Sequence, residues 1–139
     1  MIKYTQSRPT EVTNDDLLAL YRSVGWSAYL QHPANTLAAF DHSTVLWAIE
    51  QGHLIGLIRG ITDNHTILYI QDILVMLAKQ RQQVGTTLVH RFLNQHAAIG
   101  QTVLITDPEP RTQAFYASLD FREVLPQDYG RAFVLDRRY

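Results

Sequence analysis

The stretch from Thr66 to His96 constrains this chain most. Thr66-Ile-Leu-Tyr-Ile-Gln-Asp-Ile-Leu-Val75 is rich in β-branched and aromatic residues and reads as a strand. Met76–Gln83 is a polar loop, and a helix begins near Val84-Gly85 and runs to about His96. Val84, Leu88, Val89, Phe92 and Leu93 repeat on one helical face. Gly85 falls in the first turn, where the opening backbone N–H groups lack internal partners and the helix dipole is positive. A strand that delivers the chain to such a helix start forms a site for a phosphate. Lys79 and Arg81 beside it strengthen that reading.

The other elements follow from local signals. Ile2–Thr5 reads as a first strand, and Thr13-Asn-Asp-Asp16 nearly spells a capping box. Leu17, Leu20, Tyr21 and Val24 form the stripe of the following helix, which Gly25 closes. Trp26–Tyr29 reads as loop, and Pro33 and Asn35 open a short second helix carrying Leu37, Ala38 and Phe40. Thr44–Glu50 and His53–Gly60 flank the hairpin signal Gln51-Gly52, and Asp63-Asn64 turns the chain into the strand ending at Val75. These strands are apolar on both faces, as a sheet covered on both sides requires. Gln101–Thr106 returns parallel to strand 66–75 by a right-handed crossover. Pro110 sits in the first turn of another helix, whose Phe115 and Leu119 face the core and whose end at Asp120 calls for a left-handed residue. Phe121–Val124 and Arg131–Leu135 read as a closing pair of strands.

Gln80-Arg-Gln-Gln-Val-Gly85, between strand and helix, resembles the acyl-CoA loop of the GCN5-related N-acetyltransferases, with Gln83 where that pattern carries its middle glycine. Ala114-Phe-Tyr-Ala-Ser-Leu-Asp-Phe121 resembles the same family's Phe-Tyr-x-x-Leu-Gly-Phe segment, with Asp120 in place of glycine. The resemblance is strongest over residues 44–121. It implies an α/β fold, a central mixed sheet flanked by helices on both faces, in a single domain spanning residues 1–139. It also implies an enzyme that moves acetyl from acetyl-CoA to a primary amine of a small molecule or peptide.

Such a transfer needs a held acyl-CoA, a deprotonated amine, a donor for the oxyanion and a proton for the leaving thiolate. Gln80, Arg81, Gln82, Gln83, Val84, Gly85 and Thr86 are the expected phosphate cradle. The resemblance puts the pantetheine arm along Ile73, Leu74 and Val75, where the strand splays from its parallel neighbour and leaves N–H groups for the oxyanion. It gives Tyr116 the role of thiolate acid, a phenol of pKa about 10 serving a thiol near about 8.5. An aromatic that fills the core is the alternative. Asp72, a carboxylate within an apolar strand, is the candidate base, and a structural carboxylate paired with Arg or backbone is the equal alternative. A water relay competes with direct abstraction. Simple alternation turns Gln71 to the opposite face from Asp72. Trp26, Tyr29 and Tyr69 are candidates for an acceptor wall. Glu109 stands where many relatives carry an Asn that contacts CoA.

Composition narrows the alternatives. The net charge of −1 and the lack of any Lys/Arg block speak against a nucleic-acid surface. There is no cysteine, so no disulfide or thiolate chemistry. The scattered histidines show no metal spacing, and no metal is expected. No apolar run approaches the roughly 20 residues of a membrane span, and a cytoplasmic protein is the simplest expectation. Relatives are often dimers, so a homodimer stays open. Two other readings compete with the enzyme. One is a non-catalytic acyl-CoA-binding or degenerate module of the same fold. The other is a dimer module with no ligand.

Overall fold

Gln51 and Gly52 both carry positive φ, 51° and 79°, the backbone of a two-residue primed turn. They join β2 (Thr44–Glu50) to β3 (His53–Thr62). The structure is a computed structural model that describes residues 1–138. Around this hairpin stand β1 (Ile2–Thr5), β4 (Ile67–Val75) and β5 (Gln101–Leu104), in the sheet order β1-β2-β3-β4-β5. The first three pairings are antiparallel and β4–β5 is parallel, giving the expected mixed sheet.

One sheet face receives α1 (Asn14–Ser23). Thr13 caps it with a complete box: the Thr13 hydroxyl accepts from Asp16 N–H, and the Asp16 carboxylate accepts from Thr13 N–H. Leu17, Leu20 and Tyr21 bury against Trp47, Leu57 and Leu74. The other face receives α4 (Val84–Gln95), whose Leu88 and Phe92 lie against Gly56 and Gly60 of β3. A Cβ on Gly56 would stand 2.7 Å from the Leu74 carbonyl, so the glycine is required by close strand and helix approach.

β4 switches faces along its length. Its pairing steps from Arg59–Asp72 to Gly60–Ile70, so Gln71 is an extra residue, a β-bulge. Before the bulge, Leu68 packs with Phe92 on the α4 side; after it, Leu74 packs with Tyr21 on the α1 side. The simple alternation expected from the sequence therefore fails at Gln71.

Chain ends and connections differ from expectation in three further places. The segment after Trp26 is not all loop: α2 (Ala28–Gln31) is one helical turn, followed by α3 (Pro33–Ala39). The Thr36 hydroxyl donates to the Tyr29 carbonyl at 2.5 Å and fastens α2 to α3. β3 runs two residues further than predicted, and β5 stops at Leu104.

Residues 1–105 form one compact unit and those from Thr106 onward a second. The second contains α5 (Pro110–Ala117) and α6 (Pro126–Tyr129). Asp120 is left-handed with φ 67°, and Phe121 N–H reaches the Tyr116 carbonyl while Asp120 N–H reaches that of Ala117. This is the two-bond glycine-type helix stop, made with Asp. Leu119 is buried as expected, whereas Phe115 is only half-buried. The predicted closing strands are absent: among the described residues Phe121–Val124 and Arg131–Leu135 pair with no strand. Strand propensity alone makes no strand without a pairing partner, and Phe133 is 89 % exposed.

Candidate functional site

β4 carries partners on both sides only in its first half. Ile67 to Ile70 pair with Gln101 to Leu104, while Asp72 to Val75 pair with β3 alone. Backbone groups alternate direction along a strand, so those of the second half that point away from β3 have no strand partner among the described residues. Ile73, Leu74 and Val75 lie in this stretch paired with β3 alone.

The chain then runs through a short 3-10 turn, Leu77–Lys79, into the loop before α4. Arg81 and Gln83 both adopt left-handed φ, 64° and 67°. Gln83 is the residue immediately before the helix, and its side chain makes no capping bond. Thr87 N–H is the first to bond back, to Gln83 O at 2.9 Å. The N–H groups of Val84, Gly85 and Thr86 have no protein acceptor among the described residues, which leaves the helix start able to receive an anion. Arg81 is exposed and makes no ion pair or hydrogen bond from its side chain among the described residues. Lys79 is not free, because its ammonium is tied to Glu50. The Gln80 carboxamide donates to Val75 O at 3.0 Å and links the loop to the end of the splayed strand. Gln82 Nε2 reaches Ala78 O at 3.3 Å.

On the α1 face a polar cluster surrounds Asp72, which is 1 % exposed. Arg59 Nε and Tyr21 Oη donate to Oδ2 at 2.7 and 2.8 Å, and Tyr29 Oη donates to Oδ1 at 2.5 Å. Arg59 also reaches Ser43 Oγ at 3.0 Å and lies over the Phe40 ring. Asp72 is therefore the carboxylate of a buried ion pair, and its oxygens are occupied by protein donors. Burial, and then the charge of Asp72, raise the phenols of Tyr21 and Tyr29 above the usual tyrosine range. Gln71, brought to this face by the bulge, donates from Nε2 to Tyr29 Oη at 3.0 Å. Trp26 stacks beside Tyr29 with centroids 6.0 Å apart and is 36 % exposed.

The structure thus unites Trp26, Tyr29 and Asp72, and adds Arg59, Tyr21 and Gln71, which the sequence reading did not assign. Tyr69 stands on β4 opposite Ile61 and beside Val103, without ring contact to Trp26 or Tyr29. Arg59 was legible in principle, since a charged residue inside the apolar run of β3 needs a buried partner. Within the second unit, Tyr116 packs edge-on to Phe115 and Phe121. Burial raises its phenol, Thr106 counters by hydrogen bonding, and Asp107 adds to the rise. A polar cleft of about 590 Å³ at the other end of the sheet, bordered by Ser43, Thr44, Thr62 and His96, contains none of the residues selected from the sequence. No helix among the described residues is long and apolar enough to cross a membrane.

Comparison with known proteins agrees with this architecture. The acetyltransferase (GNAT) family pattern matches residues 10–121. An acetyltransferase of the GNAT family from Streptococcus pneumoniae superposes with a TM-score of 0.78 at 26 % identity, covering 99 % of each chain. An aminoglycoside acetyltransferase from an uncultured soil metagenomic sample gives 0.71 at 19 % identity, again with 99 % of each chain covered. An aminoglycoside 6'-acetyltransferase type Ii gives 0.71 at 21 %, covering 84 % of this chain and 81 % of its own. Among curated protein sequences none matches.

Proposed function

Because this chain belongs to the GNAT acetyltransferase family, we propose that it transfers acetyl from acetyl-CoA to a primary amine of a small molecule or peptide, both substrates bound together. The observation that carries this reading is the end of β4, paired with β3 alone, which leads by the loop into the open helix start. Two sets of backbone N–H groups without partners among the described residues lie on consecutive segments, joined by the Gln80–Val75 bond. Val84, Gly85 and Thr86, with Arg81, are suited to the pyrophosphate. Of Ile73, Leu74 and Val75, the first and last turn their backbone groups away from β3 and are suited to pair with the amide-bearing arm and to donate to the carbonyl oxygen as it becomes an oxyanion, whereas Met76 N–H bonds Ile55 O and, by alternation, Leu74 faces β3.

In the proposed reaction the amine nitrogen attacks the thioester carbon, the C–N bond forms and the C–S bond breaks. Tyr116 is assigned, on the resemblance of its segment, to give the departing thiolate a proton. Asp72 is too enclosed to meet an amine directly. A proton leaving the amine would reach it through the Tyr29 hydroxyl, which already hydrogen-bonds it, and water is the competing acceptor. Aminoglycosides, the amines named for two of the similar structures, are one class to test.

Calorimetry with acetyl-CoA tests the reading. Micromolar binding by the wild type, lost in Gly85→Trp, is the expected result; a folded wild type that does not bind would end it. Gln83 in place of the pattern's glycine and Glu109 in place of its Asn leave a second reading, a non-catalytic acyl-CoA-binding or degenerate module of the same fold. Turnover against an amine panel separates the two. In an enzyme, Tyr116→Phe lowers kcat by about 10²-fold while acetyl-CoA affinity holds.

A further inference from the structure

Tyr29 has one hydroxyl proton, and it goes inward to Asp72 at 2.5 Å. Its oxygen can then only accept, and one of its lone pairs already takes Gln71 Nε2 at 3.0 Å. The orientation of Gln71 is settled by the same logic: it must offer nitrogen to Tyr29, so Oε1 is left over, and no protein group hydrogen-bonds to it among the described residues. Arg59, paired with Asp72 at 2.7 Å, keeps the carboxylate an acceptor and so fixes the direction of the whole chain of bonds. Asp72 and Tyr21 are buried, while Tyr29 and Gln71 are half-buried and Trp26 is exposed at their side. What this cluster presents outward is therefore a phenol lone pair and an amide carbonyl, against one donor, the second amide hydrogen of Gln71. The indole face next to them suits a cation.

We propose that Tyr29 Oη and Gln71 Oε1 form the subsite that recognises the N–H groups of the acceptor's primary ammonium, with Trp26 lining it and Arg59 as the residue that positions it through Asp72. Gln71 reaches this face only because of the bulge in β4. The subsite rests on the acetyl-transfer reading for its purpose but not for its chemistry, which is the recognition of N–H donors.

The probes are benzylammonium and benzyltrimethylammonium, which share charge and ring but differ in N–H groups. Binding is followed on the full chain by NMR through the indole N–H resonance of Trp26, assigned with Trp26→Phe. The expected result is binding of benzylammonium at least about tenfold tighter than of its trimethyl analogue, the scale of one or two hydrogen bonds. Tyr29→Phe and Gln71→Leu should each reduce that ratio several-fold, with the fold verified by circular dichroism. Gln71→Leu leaves the Arg59–Asp72 pair intact, so a folding failure of the tyrosine variant does not remove the test. Equal binding of the two probes, no binding of either, or a ratio unchanged in Gln71→Leu overturns the proposal. Acetyl-CoA calorimetry on the same samples keeps the two ideas apart. Discrimination between amines without acetyl-CoA binding would retain the subsite and reject the transferase, and the reverse would do the opposite.

Discussion

Arg59 Nε donates to Asp72 Oδ2 at 2.7 Å across the β3–β4 pair, and both side chains are almost fully withdrawn from water. A buried pair of this kind adds little net stability compared with apolar residues of the same shape, but breaking it leaves a charge without a counterpart. Asp72→Ala strands the Arg59 guanidinium and takes the acceptor from two tyrosines. Chemical denaturation should show a loss of about 3–5 kcal/mol, and Asp72→Asn, which keeps one acceptor oxygen, a smaller one. An Asp72→Ala protein as stable as the wild type would mean that the cluster is solvated in solution.

The same cluster sets a limit at alkaline pH. Burial and the charge of Asp72 raise the folded-state pKa of Tyr21, whereas in the unfolded chain the phenol ionises at about 10. The folded protein then keeps a proton that the unfolded chain has lost. Stability is full below about pH 10 and falls above it, by about 1.4 kcal/mol per pH unit for this group. Tyr21→Phe should be less stable at pH 7, having lost a bond to Asp72, yet its stability should decline less steeply above pH 10. Parallel slopes for the two proteins would show that Tyr21 titrates normally.

Gly56 tests the packing of α4 on the sheet. Gly56→Ala places a methyl 2.7 Å from the Leu74 carbonyl and against Leu88, and should cost about 1–3 kcal/mol in a denaturant titration. Gly100→Ala is the control, since nothing lies within 4 Å of the added carbon. Equal stability of the two variants would show that β3 and β4 can separate without penalty.

What was legible in the sequence is what short-range chemistry decides. The Thr13–Asp16 box, the Gln51-Gly52 turn and the left-handed Asp120 each depend on neighbours within a few residues, and each is found where expected. The parallel return of β5 beside β4 also follows from local signals, since a strand, a helix and a strand of these lengths make a crossover. The misses are non-local. A bulge depends on how two strands align, so the alternation of β4 gave no sign that Gln71 and Asp72 would both reach Tyr29. Strand propensity in Arg131–Leu135 records a preference for extended backbone but supplies no partner edge. One-turn α2 has no side-chain cap and is held by Thr36 from the next helix, a contact no local signal announces.

Gln83 joins the fold to the chemistry. With φ 67° and ψ 12° it occupies a conformation that costs a side-chain-bearing residue about 1–2 kcal/mol, immediately before the helix start that the acyl-CoA pyrophosphate would approach. The sequence reading marked it as a departure from the family's glycine, and the backbone has kept the geometry that glycine would adopt. Gln83→Gly should relieve the strain, offset in part by the greater freedom of glycine in the unfolded chain. Thermal denaturation should then show a Tm unchanged or raised by a few degrees, and not lowered. Removing the side chain also clears the approach to the N–H groups of Val84, Gly85 and Thr86, so acetyl-CoA should bind several-fold more tightly by calorimetry. Gln83→Ala separates the two effects, because it shortens the side chain but keeps the strain. It should gain affinity without gaining stability. If Gln83→Gly weakens acetyl-CoA binding instead, the glutamine carboxamide is itself a ligand for the phosphates, and the departure from glycine is a contact rather than an obstruction.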